Sequence, residues 1–340
     1  MRHLWECRRF VTGAVMTLAV LGAAVCATAA EDTETAARPA IRALEDARSS
    51  QIEIVEGERP VLRYNYRTVE PPEAYLDKVH AGARKYARAR SDYIHPLYGP
   101  DGEQLTADWS PDHPHHRGIY WAWPEVDYRG QRGDLHALQR VFARPTGGIE
   151  LQSAADFAGV EAENLWKWED ETPIVRETAV IRAYRAGEHG RYVDLTFRFT
   201  ALEDDVAIAR RGTDHYGGLN IRLAPVAEHQ VVLHTDEPDA APRRSWGDSL
   251  GARPGGKGPV GLAVFENASN PGYPGQWIQY PALPWFQPTF PAAGTRYVLK
   301  KDQPLVLKYR LWIRRGSAVS PEEYARRWDE YCGADATPSP

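Results

Sequence analysis

Apolar and polar residues alternate along short stretches over most of this chain. The clearest stretch is 193–200 (VDLTFRFT), in which every second residue is apolar. A period of two predicts a β-strand with one buried face. Residues 305–313 (LVLKYRLWI) repeat the pattern near the C-terminus. The sequence therefore predicts a protein built mainly from strands.

Shorter strands are predicted between these two, with turn residues separating them. Glu56 and Gly57 lie between strands at 51–55 and 60–66, which predicts a hairpin. The remaining predicted strands are 93–98, 126–128, 149–152, 165–168, 174–184, 206–209, 219–223, 231–233 and 261–265. Residues 67–92 show neither period, and 238–259 are rich in Pro, Gly and Arg, so both are predicted to be loops.

One helix is predicted, at 321–332. Ser320 is a suitable N-cap, Pro321 suits the first helical position, and Glu323 completes a capping box. An apolar stripe at helical spacing follows: Tyr324, Trp328 and Tyr331. Many short strands with one terminal helix predict an all-β fold, a large β-sandwich formed by a single domain over 51–332, with a tail at 333–340.

The N-terminal residues have the pattern of a secretory signal peptide. Three arginines precede a charge-free stretch at 10–30 that contains Ala27-Thr28-Ala29, so cleavage is expected after Ala29. The signal peptide is assigned to 1–29 and a polar linker to 30–50. The mature protein is thus expected to be secreted or periplasmic, without a membrane partner, since no later segment is apolar enough to span a bilayer.

Composition excludes several classes of function. The formal charge of −5 gives no general affinity for nucleic acid. Of three cysteines only Cys332 lies beyond the signal peptide, so neither an intramolecular disulfide nor a thiolate-rich metal site is expected. The sequence also lacks a G-x-x-x-x-G-K-[ST] phosphate loop and an H-E-x-x-H motif.

Candidate chemistry is concentrated at 112–118 (DHPHHRG). Pro114 disfavours the α region for His113, so this stretch is predicted to be extended. On extended backbone His113 and His115 share one side, and His116 takes the other. Gly118 then permits a sharp turn into an aromatic strand.

Two other stretches are predicted to join the histidine run. His95 precedes the turn cluster at 99–102, which returns the chain towards His113, and His215-Tyr216 precedes two glycines. The residues predicted to converge on one cleft are His95, His115, His116, Arg117 and His215.

Roles follow from residue chemistry. Histidine moves protons near neutral pH, so His115, His116 and His215 are the candidate catalytic imidazoles, and Arg117 would hold a carboxylate or oxyanion. The predicted substrate-binding residues are His95, His113, Tyr216, Trp121, Trp123 and Glu125. The alternative is a metal site whose candidate ligands are His95, His113 and His115.

These motifs together resemble the PmoA-like domain family. The resemblance rests on 94–102, 105–106, 112–118 and 215–219, and it extends over about 52–315. It implies an exported bacterial protein, related to carbohydrate catabolism, with a fold that resembles the galactose-mutarotase-type β-supersandwich. The family label "methane oxygenase" does not suit this chain, because a membrane oxygenase subunit needs several spanning helices.

The sequence therefore predicts an exported enzyme that uses histidine acid–base chemistry on a sugar or oligosaccharide, of lyase, epimerase or hydrolase type. Hydrolysis by paired carboxylates is disfavoured, because no Asp/Glu pair stands out. Two alternatives remain open. One is a non-catalytic carbohydrate-binding module, and the other is a histidine-ligated enzyme with a divalent metal as its cofactor.

Overall fold

A computed structural model describes residues 40–280 and 283–334. The predicted signal peptide, the linker up to residue 39 and the tail from residue 335 lie outside the described residues. The described residues all belong to one compact unit. Among them, no helix combines the length and the apolar character needed to cross a bilayer.

The bounds of the elements are as follows. The first ten strands are β1 Ile41–Glu45, β2 Ile52–Glu56, β3 Arg59–Asn65, β4 Tyr93–Leu97, β5 Ile119–Ala122, β6 Glu125–Tyr128, β7 Gln131–Gly133, β8 Val141–Ser153, β9 Phe157–Trp168 and β10 Thr172–Tyr184. The next ten are β11 Arg191–Ala201, β12 Ala207–Ala209, β13 Gly218–Arg222, β14 Ala227–Thr235, β15 Ser245–Ala252, β16 Pro259–Glu266, β17 Trp277–Gln279, β18 Trp285–Pro288, β19 Tyr297–Val298 and β20 Leu305–Arg315. The helix α1 is Pro321–Ala334, and 3₁₀ helices lie at Tyr75–Lys78, Ala81–Tyr86 and Arg211–Thr213.

Within the described ranges the strands form two eight-stranded antiparallel sheets and one small sheet. The first sheet has the order β1-β2-β3-β4-β5-β13-β18-β17, and the second has the order β14-β15-β16-β20-β11-β10-β9-β8. The small sheet has the order β19-β12-β6-β7. The prediction of an all-β sandwich with a C-terminal helix is confirmed.

The core lies between the two large sheets. The alternating apolar residues of β11 are buried, as their period predicts. Trp121 and Trp123 stack at 4.5 Å between ring centroids, and both meet Phe199 of β11 edge-on at 5.2 Å. The prediction that these two tryptophans bind substrate is wrong, because both side chains are fully enclosed in this core.

Two stretches predicted to lack regular structure are strands. The linker prediction for 30–50 is wrong where the chain is described, because Ile41–Glu45 pairs with β2 and buries Ile41. The loop prediction for 238–259 is wrong because Ser245–Ala252 lies between β14 and β16 and is almost wholly buried. In both, neighbouring strands supply the pairing and burial that local composition does not indicate.

The C-terminal helix packs on the second sheet. Ser320 Oγ accepts a hydrogen bond from the Glu323 amide at 3.3 Å, as the capping box predicts. The predicted stripe is buried: Tyr324, Trp328 and Tyr331 pack on Trp246, Phe265 and Trp312. The helix ends two residues beyond its predicted end, at Ala334.

Two carboxyl groups are buried together in the core. Asp92 and Glu177 are both buried, and they lie close enough for their charges to interact. Asp92 also accepts hydrogen bonds from Tyr64 at 2.7 Å and Asn164 at 3.1 Å, and Glu177 accepts one from Trp166 at 2.6 Å. Burial, and then the Asp92 charge, raise the pKa of Glu177 well above its usual value. The folded protein therefore keeps a proton that the unfolded chain releases.

We expect Glu177→Gln to stabilise the protein at pH 8. The unfolded carboxyl loses its proton near pH 4.5, whereas the folded one holds it, so wild-type stability falls as the pH rises above that value. Glutamine is uncharged at every pH, so it avoids the cost of burying a charge beside Asp92. Urea denaturation at pH 5 and pH 8 should show a gain of at least about 1 kcal/mol at pH 8, the equivalent of one pKa unit. Glu161→Gln, at an exposed position of β9, is the control, and equal behaviour of both variants would contradict the raised pKa of Glu177.

Candidate functional site

The histidine run folds as consecutive turns before β5. The His113 amide donates to Ser110 O at 3.2 Å, and the His116 amide donates to His113 O at 2.9 Å. Pro114 occupies the second position of the latter turn, where its fixed φ is favourable. The ring centroids of His113 and His115 both lie 4.7 Å from that of His116. The prediction that His116 points away from the other two is therefore wrong, because the backbone is turned and not extended.

A fourth imidazole comes from the segment between β7 and β8. The ring of His136 lies 4.5 Å from His115 and 5.2 Å from His116. Its Nδ1 is 2.9 Å from the Tyr120 hydroxyl, and its carbonyl accepts a 2.6 Å hydrogen bond from Arg90. Sequence reasoning missed His136, because a single histidine in a short connection carries no motif.

These imidazoles line a cavity of about 260 Å³, which we call the histidine pocket. Its lining residues are His113, His115, His116, His136, Tyr216, Tyr280, Leu283 and Trp285. Tyr280 and Trp285 stack at 4.8 Å, and the Trp285 indole donates to Asn220 Oδ1. One wall of the pocket is thus a fixed aromatic surface at the start of β18, and another is a group of imidazoles.

The inner histidines are neutral at physiological pH. Burial, with the neighbouring His113 and Arg90 charges, lowers the pKa of His115 to about 3. Burial and the adjacent imidazoles also hold the pKa values of His116 and His136 well below the usual range. Each of these rings therefore presents one N–H donor and one lone pair.

Charged side chains support the rim of the pocket. Asp112 lies 2.9 Å from His113 Nδ1 and accepts hydrogen bonds from Arg222 at 2.9 and 3.0 Å. Arg211 donates to the Tyr216 hydroxyl at 3.2 Å and to Asp134 at 2.9 Å. His113 is therefore held by Asp112, which Arg222 binds, and Tyr216 is held by Arg211, which Asp134 binds.

Several polar atoms near the pocket have no hydrogen-bond partner among the described residues. They are buried: Nδ1 of His115, Nδ1 of His116, and Nε and Nη1 of Arg222. Buried nitrogens of this kind are normally bonded to protein, water or an ion. These atoms lie beside one cavity, which makes it the candidate binding site.

Arg117 does not reach the pocket. Its side chain is fully buried, and its Nε and Nη2 bind Asp108 while Nη2 also donates to Tyr93 Oη at 2.5 Å. Its guanidinium lies 3.4 Å from the Trp109 ring centroid. The prediction that Arg117 holds a substrate carboxylate is wrong, because these partners already occupy its donors.

Three further predicted residues lie outside the pocket lining. The His95 ring turns to Thr106 Oγ1 at 3.0 Å, and burial lowers its pKa to about 4. Glu125 is buried and pairs with Arg296 at 2.7 Å, which leaves no place for substrate. His215 pairs with Asp214 at 2.6 Å and its side chain is 64% exposed. The predicted convergence of His95, Arg117 and His215 with the histidine run is therefore not observed, whereas His113, His115, His116 and Tyr216 do come together.

The structure also changes the candidate metal ligands. The ligand atoms of His115, His116 and His136 lie within 4.8 Å of one another, so these three side chains could hold a metal ion. His95 and His113, which sequence reasoning grouped with His115, are directed to Thr106 and Asp112. Of the three candidate ligands named from the sequence, His115 alone belongs to this group of three histidines.

Comparisons with known proteins give little functional information. The model of a family of unknown function, DUF6807, matches residues 51–329. No curated protein matches the sequence. A solved structure described as "Putative kojibiose phosphorylase from human microbiome" is similar at 8% sequence identity, with a TM-score of 0.29. That similarity covers 65% of this chain and 26% of the other, so this chain spans about a quarter of that protein's length.

Proposed function

Since the chain belongs to the family of unknown function DUF6807, we propose its function from the histidine pocket: it is a carbohydrate-active enzyme that moves protons on one sugar residue. Lyase, epimerase and hydrolase reactions all fall within this proposal. The observation that supports it is the meeting of four imidazoles and a phenol with a stacked aromatic wall in one cavity.

The size and walls of the pocket suit a sugar ring. Its volume of about 260 Å³ lies just below the roughly 300–1,000 Å³ typical of drug-sized ligands. Trp285 and Tyr280 offer an apolar surface for the C–H face of a sugar, and the imidazoles offer donors and acceptors for its hydroxyl groups. A single sugar residue, free or at the end of an oligosaccharide, is therefore the proposed ligand.

His113 is the proposed general base. When its Nδ1 carries the hydrogen, Asp112 accepts that hydrogen at 2.9 Å, which leaves the Nε2 lone pair available. Arg222 holds Asp112 in place through two contacts. The His113 side chain is 37% exposed, so it is accessible to substrate.

Tyr216 is the proposed acid. Arg211 donates to its hydroxyl oxygen at 3.2 Å, so the phenolic hydrogen is free to point elsewhere. In an elimination, His113 would take the proton from the carbon beside a carbonyl, and that electron pair would form the double bond as the C–O bond breaks. Tyr216 would then protonate the leaving oxygen. In an epimerisation, the two groups would act from opposite faces of one carbon.

Export remains part of the proposal, as does the resemblance to the PmoA-like domain family. Both come from the sequence: the signal-peptide pattern at 1–29 and the DHPHHRG motif at 112–118. The proposed enzyme would then meet its sugar outside the cytoplasm.

A screen of the mature protein against oligosaccharides and keto-sugars, read by mass spectrometry in D₂O, tests the function. Elimination would give an unsaturated product, hydrolysis would add water, and epimerisation would introduce deuterium without other change in mass. We expect one of these outcomes for at least one sugar. Calorimetric binding of a sugar without conversion of any substrate would contradict the enzyme and favour the carbohydrate-binding module.

A further inference from the structure

We propose that His115, His116 and His136 bind one divalent transition-metal ion of the zinc class, deep in the histidine pocket. The inference deepens the proposed function, because it adds a Lewis acid to the same site. It differs in its ligands from the set that the sequence indicated, since His116 and His136 replace His95 and His113.

The three side chains form a compact set of ligands. Their ligand atoms all lie within 4.8 Å of one another. Two Zn–N bonds of about 2.0–2.1 Å at a tetrahedral angle would bring the nitrogens to about 3.4 Å. Small rotations of the rings, which belong to short turns and not to strands, would close that difference. Three protein ligands and one open position is the arrangement of catalytic zinc sites.

Unsatisfied nitrogen atoms are a second, independent observation. Nδ1 of His115 and Nδ1 of His116 are buried, and no described residue hydrogen-bonds to either. The His116 side chain is more than nine-tenths buried, so bulk water does not compensate. A bound cation would satisfy lone pairs that the protein leaves unmatched.

His136 has the outer contact that is typical of a metal-ligating histidine. Its Nδ1 meets the Tyr120 hydroxyl at 2.9 Å, and its ring stacks on Tyr120 at an interplanar angle of 3°. Arg90 donates to the His136 carbonyl and lies over the Tyr120 ring at 4.5 Å. Such contacts fix the orientation and tautomer of the imidazole and leave Nε2 for the metal.

The donor set and local charge select the kind of ion. Three imidazoles without a carboxylate favour zinc, cobalt, nickel or copper over magnesium or calcium. Arg90, Arg211 and Arg222 oppose a cation, but Asp134 and Asp112 pair with two of them at 2.9 Å. His113 is not among these ligands.

Metal binding is tested on the full mature protein without a histidine tag, after dialysis against a chelator. The probes are Zn²⁺ by isothermal titration calorimetry and Co²⁺ by visible absorption. We expect one equivalent of each to bind, with the intense absorption of four-coordinate cobalt. Absence of stoichiometric binding to the folded wild-type protein would overturn the proposal.

Variants locate the ion. His136→Ala and His116→Ala should abolish the cobalt spectrum, whereas His215→Ala, an exposed histidine outside the pocket, should bind like the wild type. Tyr120→Phe keeps all three ligands and removes only the contact to His136 Nδ1, so its affinity should fall by about 10–100-fold. If the alanine variants fail to fold, the affinity of Tyr120→Phe for the metal tests the assignment in their place. Unchanged binding in all three pocket variants would refute the assignment.

The metal and the proposed function can fail separately. Stoichiometric binding of Zn²⁺ or Co²⁺ without turnover of any sugar would refute the proposed enzyme and support the metal site. Turnover of a sugar by folded protein that binds neither Zn²⁺ nor Co²⁺ would refute the metal site and leave the proposed enzyme standing.

Discussion

Replacing Arg117 by alanine is expected to lower the free energy of unfolding by about 3–5 kcal/mol, the usual cost of leaving one partner of a buried ion pair alone. Arg117 is fully buried, binds Asp108 through Nε and Nη2, and lies between the rings of Trp109 and Tyr93 at 3.4 and 4.6 Å. Without Arg117, the Asp108 carboxylate, which is only 10% exposed, would lose its ion-pair partner. Urea denaturation measures the change.

Arg144→Ala is the matched control. Arg144 Nε and Nη2 bind the two oxygens of Asp170 at 2.7 and 2.8 Å, through the same pair of nitrogens. That pair is more exposed, at 20% and 44%, so the change should be about 1 kcal/mol or less. If Arg117→Ala kept wild-type stability but lost turnover, Arg117 would be a substrate ligand, as the sequence predicted, and not a structural residue.

Replacing His113 by alanine should reduce turnover by about 10²–10⁴-fold, the usual contribution of a general acid–base group. His113 lines the histidine pocket and is paired with Asp112 at 2.9 Å. The folded state should be little affected, because the side chain is 37% exposed. The measurement is kcat on whichever sugar the product screen identifies, with thermal melting to verify folding.

His215→Ala provides the comparison for that variant. It carries the same local motif, an aspartate followed by a histidine whose Nδ1 contacts it, at 2.6 Å. His215 lies outside the pocket, so its loss should leave kcat within about twofold, far below the effect of a catalytic imidazole. Equal losses from both variants would show that the pocket does not define the site of reaction.

The fold was predictable where the signal is local. Residues 193–200 alternate strictly and form the centre of β11, and the capping box at Ser320 begins α1. Alternation and capping act within a few residues, so the sequence displays them directly. β15 escaped prediction because its burial depends on β14 and β16, and its glycines and serines carry no strand signal of their own.

The site was predictable only in part, for a related reason. The histidine run is visible in the sequence as a motif. The direction of each ring depends on the turns of the backbone, which the sequence did not indicate. His136 and Trp285 lie far from the run in sequence and join it through the sheet order β5-β13-β18 and the connection after β7. Arg117 belongs to the motif and could bind an anion, but its side chain is hydrogen-bonded to Asp108 and Tyr93. A motif identifies reactive side chains, but it does not show which of them are already bonded to other residues in the core.

Strand β1 has a practical consequence for fragments of this protein. The family match begins at residue 51, and a fragment started there would lack Ile41–Glu45 entirely. The backbone of β2 would become the outer edge of the first sheet, beside the buried residues Ile52 and Ile54. Open, apolar edges recruit strands from other molecules. Such a fragment would be prone to aggregate, and a boundary at or before residue 40 avoids this.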